Sequence, residues 1–188
     1  RLRQVACSPG LIDEDRRDFK DAKIEALLPR LQEVADEGHK ALVFSQFTSY
    51  LALLRPRVEG LGLNHVYLDG GTRDRKAVIE QFESDPKTSL FLISLKAGGL
   101  GLNLTAADYV FILDPWWNPA VEMQAIARAH RIGQTKPVFA YRMVAKDTVE
   151  EKVLELQEKK RELVETLLGE DKGSVTSLKR EDIELLLS

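Results

Sequence analysis

A single cysteine, Cys7, among 188 residues excludes an intramolecular disulfide framework and a cysteine-based zinc site. The three histidines, His39, His65 and His130, stand too far apart to form a metal-ligand motif, so no metal is expected on this chain. No apolar run approaches the roughly 20 residues that cross a bilayer. The opening RLRQVACSPG also lacks the apolar core of a secretory signal, and an intracellular, cytoplasmic protein without a membrane partner is expected. Positive charge is not in excess: 27 Lys+Arg face 30 Asp+Glu for a net charge of -3, so any contact with nucleic acid must come from a local patch. Neither GxGxxG nor GxxxxGK[ST] occurs, which removes the dinucleotide fingerprint and the phosphate-binding Walker loop. What remains, 44% hydrophobic and 30% charged residues with no repeat or low-complexity tract, is the composition of an ordinary globular domain.

Short β-branched and aromatic runs alternate with helical patterns. KALVFS (40–45), HVYL (65–68), LFLIS (90–94), YVFILD (109–114) and VFAYRMV (138–144) read as strands, and segments 22–36, 49–59, 73–84 and 119–131 as helices. That order predicts an α/β fold with a mostly parallel sheet and helices on both faces. Right-handed crossovers then place the strand-to-helix loops along one edge, where such sheets bind ligands. Beyond residue 144 one long helix is opened by Asp147 or Thr148 with Glu151 in capping-box position. Its apolar residues Val149, Val153, Leu156, Leu163 and Leu167 form a seam interrupted by Lys160, and Gly169 ends it. A polar stretch at 170–177 leads to a last short helix at 180–187, while residues 1–19, with Pro9, Gly10 and a charged run, read as a connection.

Three loops and one helix could carry chemistry. In EMQAIARAHRIGQ (122–134), opened by Asn118 and Pro119, helical spacing puts Gln124, Arg128 and Arg131 on one face. Two guanidiniums on one stripe can grip phosphate through paired donors, or can simply decorate a solvated face. In SLKAGGLGLNLTAAD (94–108), Gly98, Gly99 and Gly101 allow close approach of the backbone to an anion, or make a tight structural turn. Ser45 and Gln46 leave the first strand and the Asp69-Gly70-Gly71-Thr72 turn leaves the second, each able to offer donors to an anion or to serve as turn chemistry. Asp114 is read as structural. Of Trp116 and Trp117, in the turn after Pro115, at least one is expected at the surface, with core covering as the alternative for the other.

In this order, KALVFSQF, YLDGGT, LISLKAGGLGLNLTAADYVFILDPWWNP and QAIARAHRIGQTKPV resemble motifs four, four-a, five and six of the Swi/Snf family of superfamily-two, helicase-like ATPases. The resemblance covers residues 2 to about 168, and the DPWWNPAVE wording is similar to the bacterial branch, which implies association with the nucleoid. It implies the carboxy-terminal RecA-like lobe at residues 20–146, an inter-lobe linker at 1–19, and a brace helix and tail at 147–188. It further implies ATP hydrolysis coupled to translocation along double-stranded DNA. ATP and Mg2+ would be bound mainly by a first lobe that this sequence does not contain, so this chain by itself is expected to be inactive. Arg128 and Arg131 would be the catalytic residues, with Gln124 and Gly101 lining the nucleotide cleft. Ser45, Gln46, Thr72, Lys96, Gly98 and Gly99 would contact DNA, and Trp117 would couple the two surfaces. Partners would be double-stranded DNA, the first lobe and a DNA-bound protein complex. Two departures stand out: Ala127 replaces a common acidic residue, and the segment 72–82 is short, which leaves the equivalence of Arg75 open. The rival readings are a non-catalytic nucleic-acid or partner-binding module and a nucleotide-cofactor enzyme, the latter disfavoured by the missing fingerprint.

Overall fold

A computed structural model describes residues 1–13, 15, 21–97 and 102–169. Five strands, β1 (Ala41–Ser45), β2 (His65–Leu68), β3 (Leu90–Ser94), β4 (Tyr109–Ile112) and β5 (Phe139–Arg142), form one sheet in the order β2-β3-β1-β4-β5, with every pairing parallel. The helices are α1 (Leu2–Cys7), α2 (Ala22–Asp36), α3 (Thr48–Gly60), α4 (Arg75–Ser84), α5 (Pro119–Ile126) and α6 (Val149–Gly169), with a 3-10 turn at Pro9–Leu11. The polar stretch and last helix expected at 170–188 lie outside the described residues.

The pleat divides the apolar residues between two layers. Ala41, Val43, Leu90, Leu92 and Phe111 face α2 and α3, where they meet Leu27, Leu31, Leu51 and Leu54. Leu42, Phe44, Phe91, Ile93, Val110 and Ile112 face the other way, toward Phe82 of α4 and Ala125 of α5. Because both faces are covered, all five residues of β1 and of β3 are buried, which is why those strands are apolar without alternation. The last strand departs from this pattern. It is shorter than the expected 138–144, and its four residues are exposed, whereas the opposite edge strand β2 has two buried residues.

Helix starts follow side-chain chemistry. Asp21 caps α2 by accepting from the amides of Lys23 and Ile24, Asp74 caps α4 through Ala77, and Asn118 caps α5 with Pro119 at its first position. Thr148 Oγ1 accepts from Glu150 N at the start of α6, while Glu151 reaches back to Asp147 N. Helices α2 and α3 continue through Pro29 and Pro56. Their buried faces outweigh one lost hydrogen bond each.

One expectation is corrected. The helix predicted over 119–131 stops at Ile126, since Arg128 N and Ala129 N turn to carbonyls three residues back, and Arg128 O is taken by Leu104 N at 3.0 Å. The glutamine of the RIGQ segment explains the break: Gln134 Nε2 lies 3.0, 2.8 and 3.2 Å from the carbonyls of Thr105, Ala107 and Ala129, tying the turn to the loop before β4. Gln124, Arg128 and Arg131 therefore do not share a helical stripe.

The amino-terminal segment is built into the domain rather than merely leading to it. Cys7 is in the core with α2 and α3, and its Sγ donates to Glu150 Oε1 at 3.4 Å. Lys23 Nζ lies 2.6 and 2.5 Å from the two Glu150 oxygens and donates to Leu113 O at 2.8 Å, all within residues almost without solvent access. Burial, before any neighbouring charge, pushes the Cys7 thiol far up, so it stays protonated. This buried ion pair fastens α2 and α6 to the end of β4. Removing one partner alone leaves an uncompensated buried charge, at a cost of about 3–5 kcal/mol.

Candidate functional site

The carboxyl ends of the strands bring several of the predicted residues to one edge. Beyond β1, β3 and β4 lies a cleft of about 230 Å³ whose walls are Phe44, Leu95, Trp116, Val121 and Ala125, and whose polar groups are Lys96, Gln124 and Arg128. Lys96 and Gln124 are exposed, whereas Arg128 is 6% exposed. Arg128 Nε and Nη1 are buried without a hydrogen-bond partner. Burial lowers the Arg128 pKa, and the nearby Arg131 charge lowers it further, so these two guanidiniums remain neighbours although the helix between them is broken. Arg131 itself is exposed, with Nη1 3.5 Å from Leu102 O. A buried cation with idle donors beside a second cation, in a cleft with apolar walls, suits a multiply charged anion.

The floor of this edge is a buried carboxylate. Asp114 accepts from Ser45 Oγ at 2.5 Å and from Gln46 N at 3.1 Å, and its burial raises its pKa against the pull of these donors. Asp114 is thus structural, as expected. Ser45 is corrected: it is fully buried, and its hydroxyl serves Asp114 and accepts from Phe47 N at 3.0 Å, so it holds the turn and does not face a ligand. Gln46 is half-buried just beyond it, with its side-chain Nε2 buried and without a hydrogen-bond partner. Thr72, half-buried after β2, accepts from Asp69 N at 3.0 Å and donates to Asp69 Oδ1 at 3.3 Å, which closes its turn. Gly98, Gly99 and Gly101 lie outside the described residues.

The tryptophan turn is held from three sides by residues that sequence reasoning passed over. Glu122, fully buried on α5, accepts from Trp116 N at 2.7 Å and from Gln157 Nε2 of α6 at 2.9 Å. Its other oxygen pairs with Arg142 Nε of β5 at 2.7 Å, an ion pair outside hydrogen-bond alignment. Gln157 Nε2 also donates to Trp116 O. From α1, Arg3 donates to Pro115 O and sets its guanidinium 5.5 and 5.4 Å from the Trp116 and Trp117 rings. Trp117, 43% exposed, is the surface member of the pair. Only the acidic residue in the first turn of α5 hinted at this arrangement, because Arg3 and Gln157 are remote in sequence.

A parallel sheet with a cationic cleft at the carboxyl ends of its strands defines a RecA-like lobe. The helicase conserved C-terminal domain family matches residues 22–133, and the chain belongs to that family: it is the carboxy-terminal lobe of a superfamily-two, helicase-like protein. It is 41% identical over 200 residues to the ATP-dependent helicase rhp16 of Schizosaccharomyces pombe, an overlap of 96% of this chain and 23% of that relative. It is 43% identical over 173 residues to the DNA repair protein rad8 of the same yeast, covering 89% of this chain and 15% of the relative. The C-terminal part of the Fun30 ATPase domain superposes with a TM-score of 0.71 at 36% identity, covering 82% of this chain and 52% of that one. The chain thus spans less than a quarter of these two curated relatives. Among the described residues no helix is long and apolar enough to cross a membrane.

Proposed function

We propose that this lobe forms one wall of an ATP-hydrolysing site and one part of a double-stranded DNA track in a longer, DNA-dependent motor. The observation that carries the reading is the buried Arg128 guanidinium, with Nε and Nη1 unpaired and Arg131 beside it. Phosphoryl transfer spreads negative charge over the transferred group, and preorganised cations stabilise it with little reorganisation. Arg128 is preorganised by burial, whereas exposed Arg131 can reach across toward a nucleotide held on a facing lobe. Gln124 lines the same cleft. Arg131 is the transition-state arginine in this reading and Arg128 its buried companion.

Mg2+ would accompany the nucleotide and screen its charge. The ion is assigned, with the triphosphate, mainly to the facing lobe. In this reading Gln46, Thr72 and Lys96 contact DNA phosphates, and Gly98 and Gly99 keep that role from the family resemblance alone. Contacts of this kind to phosphates make binding tolerant of sequence and sensitive to salt. Trp117, exposed beside the cleft residue Trp116 and under the Arg3 guanidinium, is assigned the coupling role. The relatives named for DNA repair support nucleic acid as a partner, and a DNA-bound protein complex is assigned on the family resemblance alone. The DPWWNPAVE wording supports the bacterial branch and a place at the nucleoid.

The test is Arg131→Ala in a protein containing both lobes. Phosphate release should fall by about 10³-fold or more, the scale of a lost arginine finger, with DNA affinity in the absence of nucleotide and the melting temperature unchanged. Near-normal turnover in the folded variant would refute the assignment.

A further inference from the structure

On the face of the sheet that carries α2, the covering layer stops short of the edge. The parallel register pairs Tyr109 with Phe139 and Phe111 with Tyr141, which makes a two-by-two block of rings on β4 and β5. Tyr109 and Phe139 lie 5.3 Å apart, and Phe111 and Tyr141 stack at 5.2 Å. Phe111 is 1% exposed, but Phe139 and Tyr141 remain 46% and 36% exposed. Beside the block is a hollow of about 330 Å³ rimmed by Arg30, Glu33 and Glu37 of the α2 side. Among the described residues neither the Glu33 nor the Glu37 carboxylate has an ion-pair or hydrogen-bond partner, and both raise the Tyr109 pKa, secondarily to burial, which places them near that ring. The buried Asp108 nearby is already occupied by His39 at 2.5 Å and Lys136 at 3.3 Å.

The edge itself is open. Phe139 N donates to Asp108 O and Met143 N to Ile112 O, so the alternation of a parallel ladder turns the amides and carbonyls of Ala140 and Arg142 outward. An accessible edge is commonly blunted by proline, lysine or a bulge. β5 contains no proline or lysine, its one charged residue, Arg142, pairs with Glu122 of α5 on the opposite face of the sheet, and the face on the α2 side presents aromatic rings.

We propose that this face docks an extended, lysine- or arginine-bearing segment of a partner protein. The segment lies along the β5 edge, hydrogen bonds to Ala140 and Arg142, and places a cationic side chain over the Tyr109 side of the block between Glu33 and Glu37. Arg30 offsets one of the two rim carboxylates and sits over Tyr141, so the rim keeps a net charge of -1 with Glu33 and Glu37 beside the Tyr109 ring, which attracts a cation and repels a phosphate backbone. Arg30 already sets its guanidinium 5.8 Å over the Tyr141 ring, so the block accepts this contact within the chain. The proposal is independent of the motor reading, since the face carries neither Arg128 nor Lys96.

The test uses the chain as it stands and the acetylated, amidated pentapeptide Lys-Thr-Lys-Val-Lys as probe, followed by backbone amide NMR shifts. Shifts should concentrate on Ala140, Arg142, Tyr109 and the Glu33–Glu37 turn of α2, and the Glu33→Gln/Glu37→Gln variant should bind roughly fivefold more weakly. The same peptide with glutamate for lysine should not bind. Shifts centred elsewhere, or equal affinity in the double variant, would overturn the proposal. So would binding of oligothymidylate to this face, or self-association of the chain through β5 in sedimentation.

Discussion

Replacing Arg128 with methionine should make this lobe more stable while removing what the cleft is built for. A buried polar group without its hydrogen bond costs about 1–3 kcal/mol, and Arg128 has two such groups, Nε and Nη1, with the Arg131 charge adding repulsion. Methionine keeps most of the stem's contacts with the apolar walls and introduces no unmet donor. Because the guanidinium borders an open cleft and not the close-packed interior, the lower part of the range applies, and the gain is about 1–2 kcal/mol. For a domain of this size each kcal/mol moves the melting temperature by about 2–4 °C, so Arg128→Met should melt roughly 2–8 °C higher by calorimetry. Arg128→Lys should not reproduce the gain, since it retains a buried charge. Sodium tripolyphosphate supplies the complementary arm. At tenfold its dissociation constant a ligand of the native state contributes about 1.4 kcal/mol, so the wild type should melt several degrees higher in its presence and Arg128→Met should not respond. An unchanged or lower melting temperature for Arg128→Met without ligand would mean that the guanidinium is satisfied in solution, and the reasoning from an idle buried cation would be wrong.

Lys96→Ala in a protein with both lobes should weaken duplex binding and reduce the slope of log affinity against log salt by about one, as for the loss of one neutralised phosphate; an unchanged slope assigns Lys96 to solvent. Trp117→Ala should slow triplex displacement by a larger factor than ATP hydrolysis, because the exposed ring follows the cleft residue Trp116 and lies under Arg3; equal losses, or none, would assign it to packing. The chain by itself should release no phosphate from ATP above background with or without duplex DNA. Turnover from the purified chain, with contaminating ATPase excluded, would contradict the division of the site between two lobes.

Layer order and the chemistry at the helix starts were legible in the residues themselves. Continuous apolar runs such as ALVFS and LFLIS need cover on both faces, and caps such as Asn118 at α5 and Thr148 with Glu151 at α6 act on amides two to four residues away, so local pattern and final structure agree. Crossover handedness gathers the ends of β1, β3 and β4 at one edge, but that Lys96, expected to face DNA, shares a cleft with Gln124 and Arg128 was not legible. Tertiary contacts decided the rest. Helical periodicity extended α5 to residue 131, but two distant carbonyls and that of Ala129 on Gln134, with the Leu104 amide on Arg128 O, end it at Ile126. Ser45 had the profile of a ligand donor until Asp114, 69 residues away, claimed its hydroxyl. The partners of Glu122 and Lys23 lie 35 and 127 residues off on α6, at Gln157 and Glu150. Whether a buried polar side chain is spent inside the fold or left for a ligand depends on which remote groups the fold brings within 3 Å, and spacing along the chain holds no record of that.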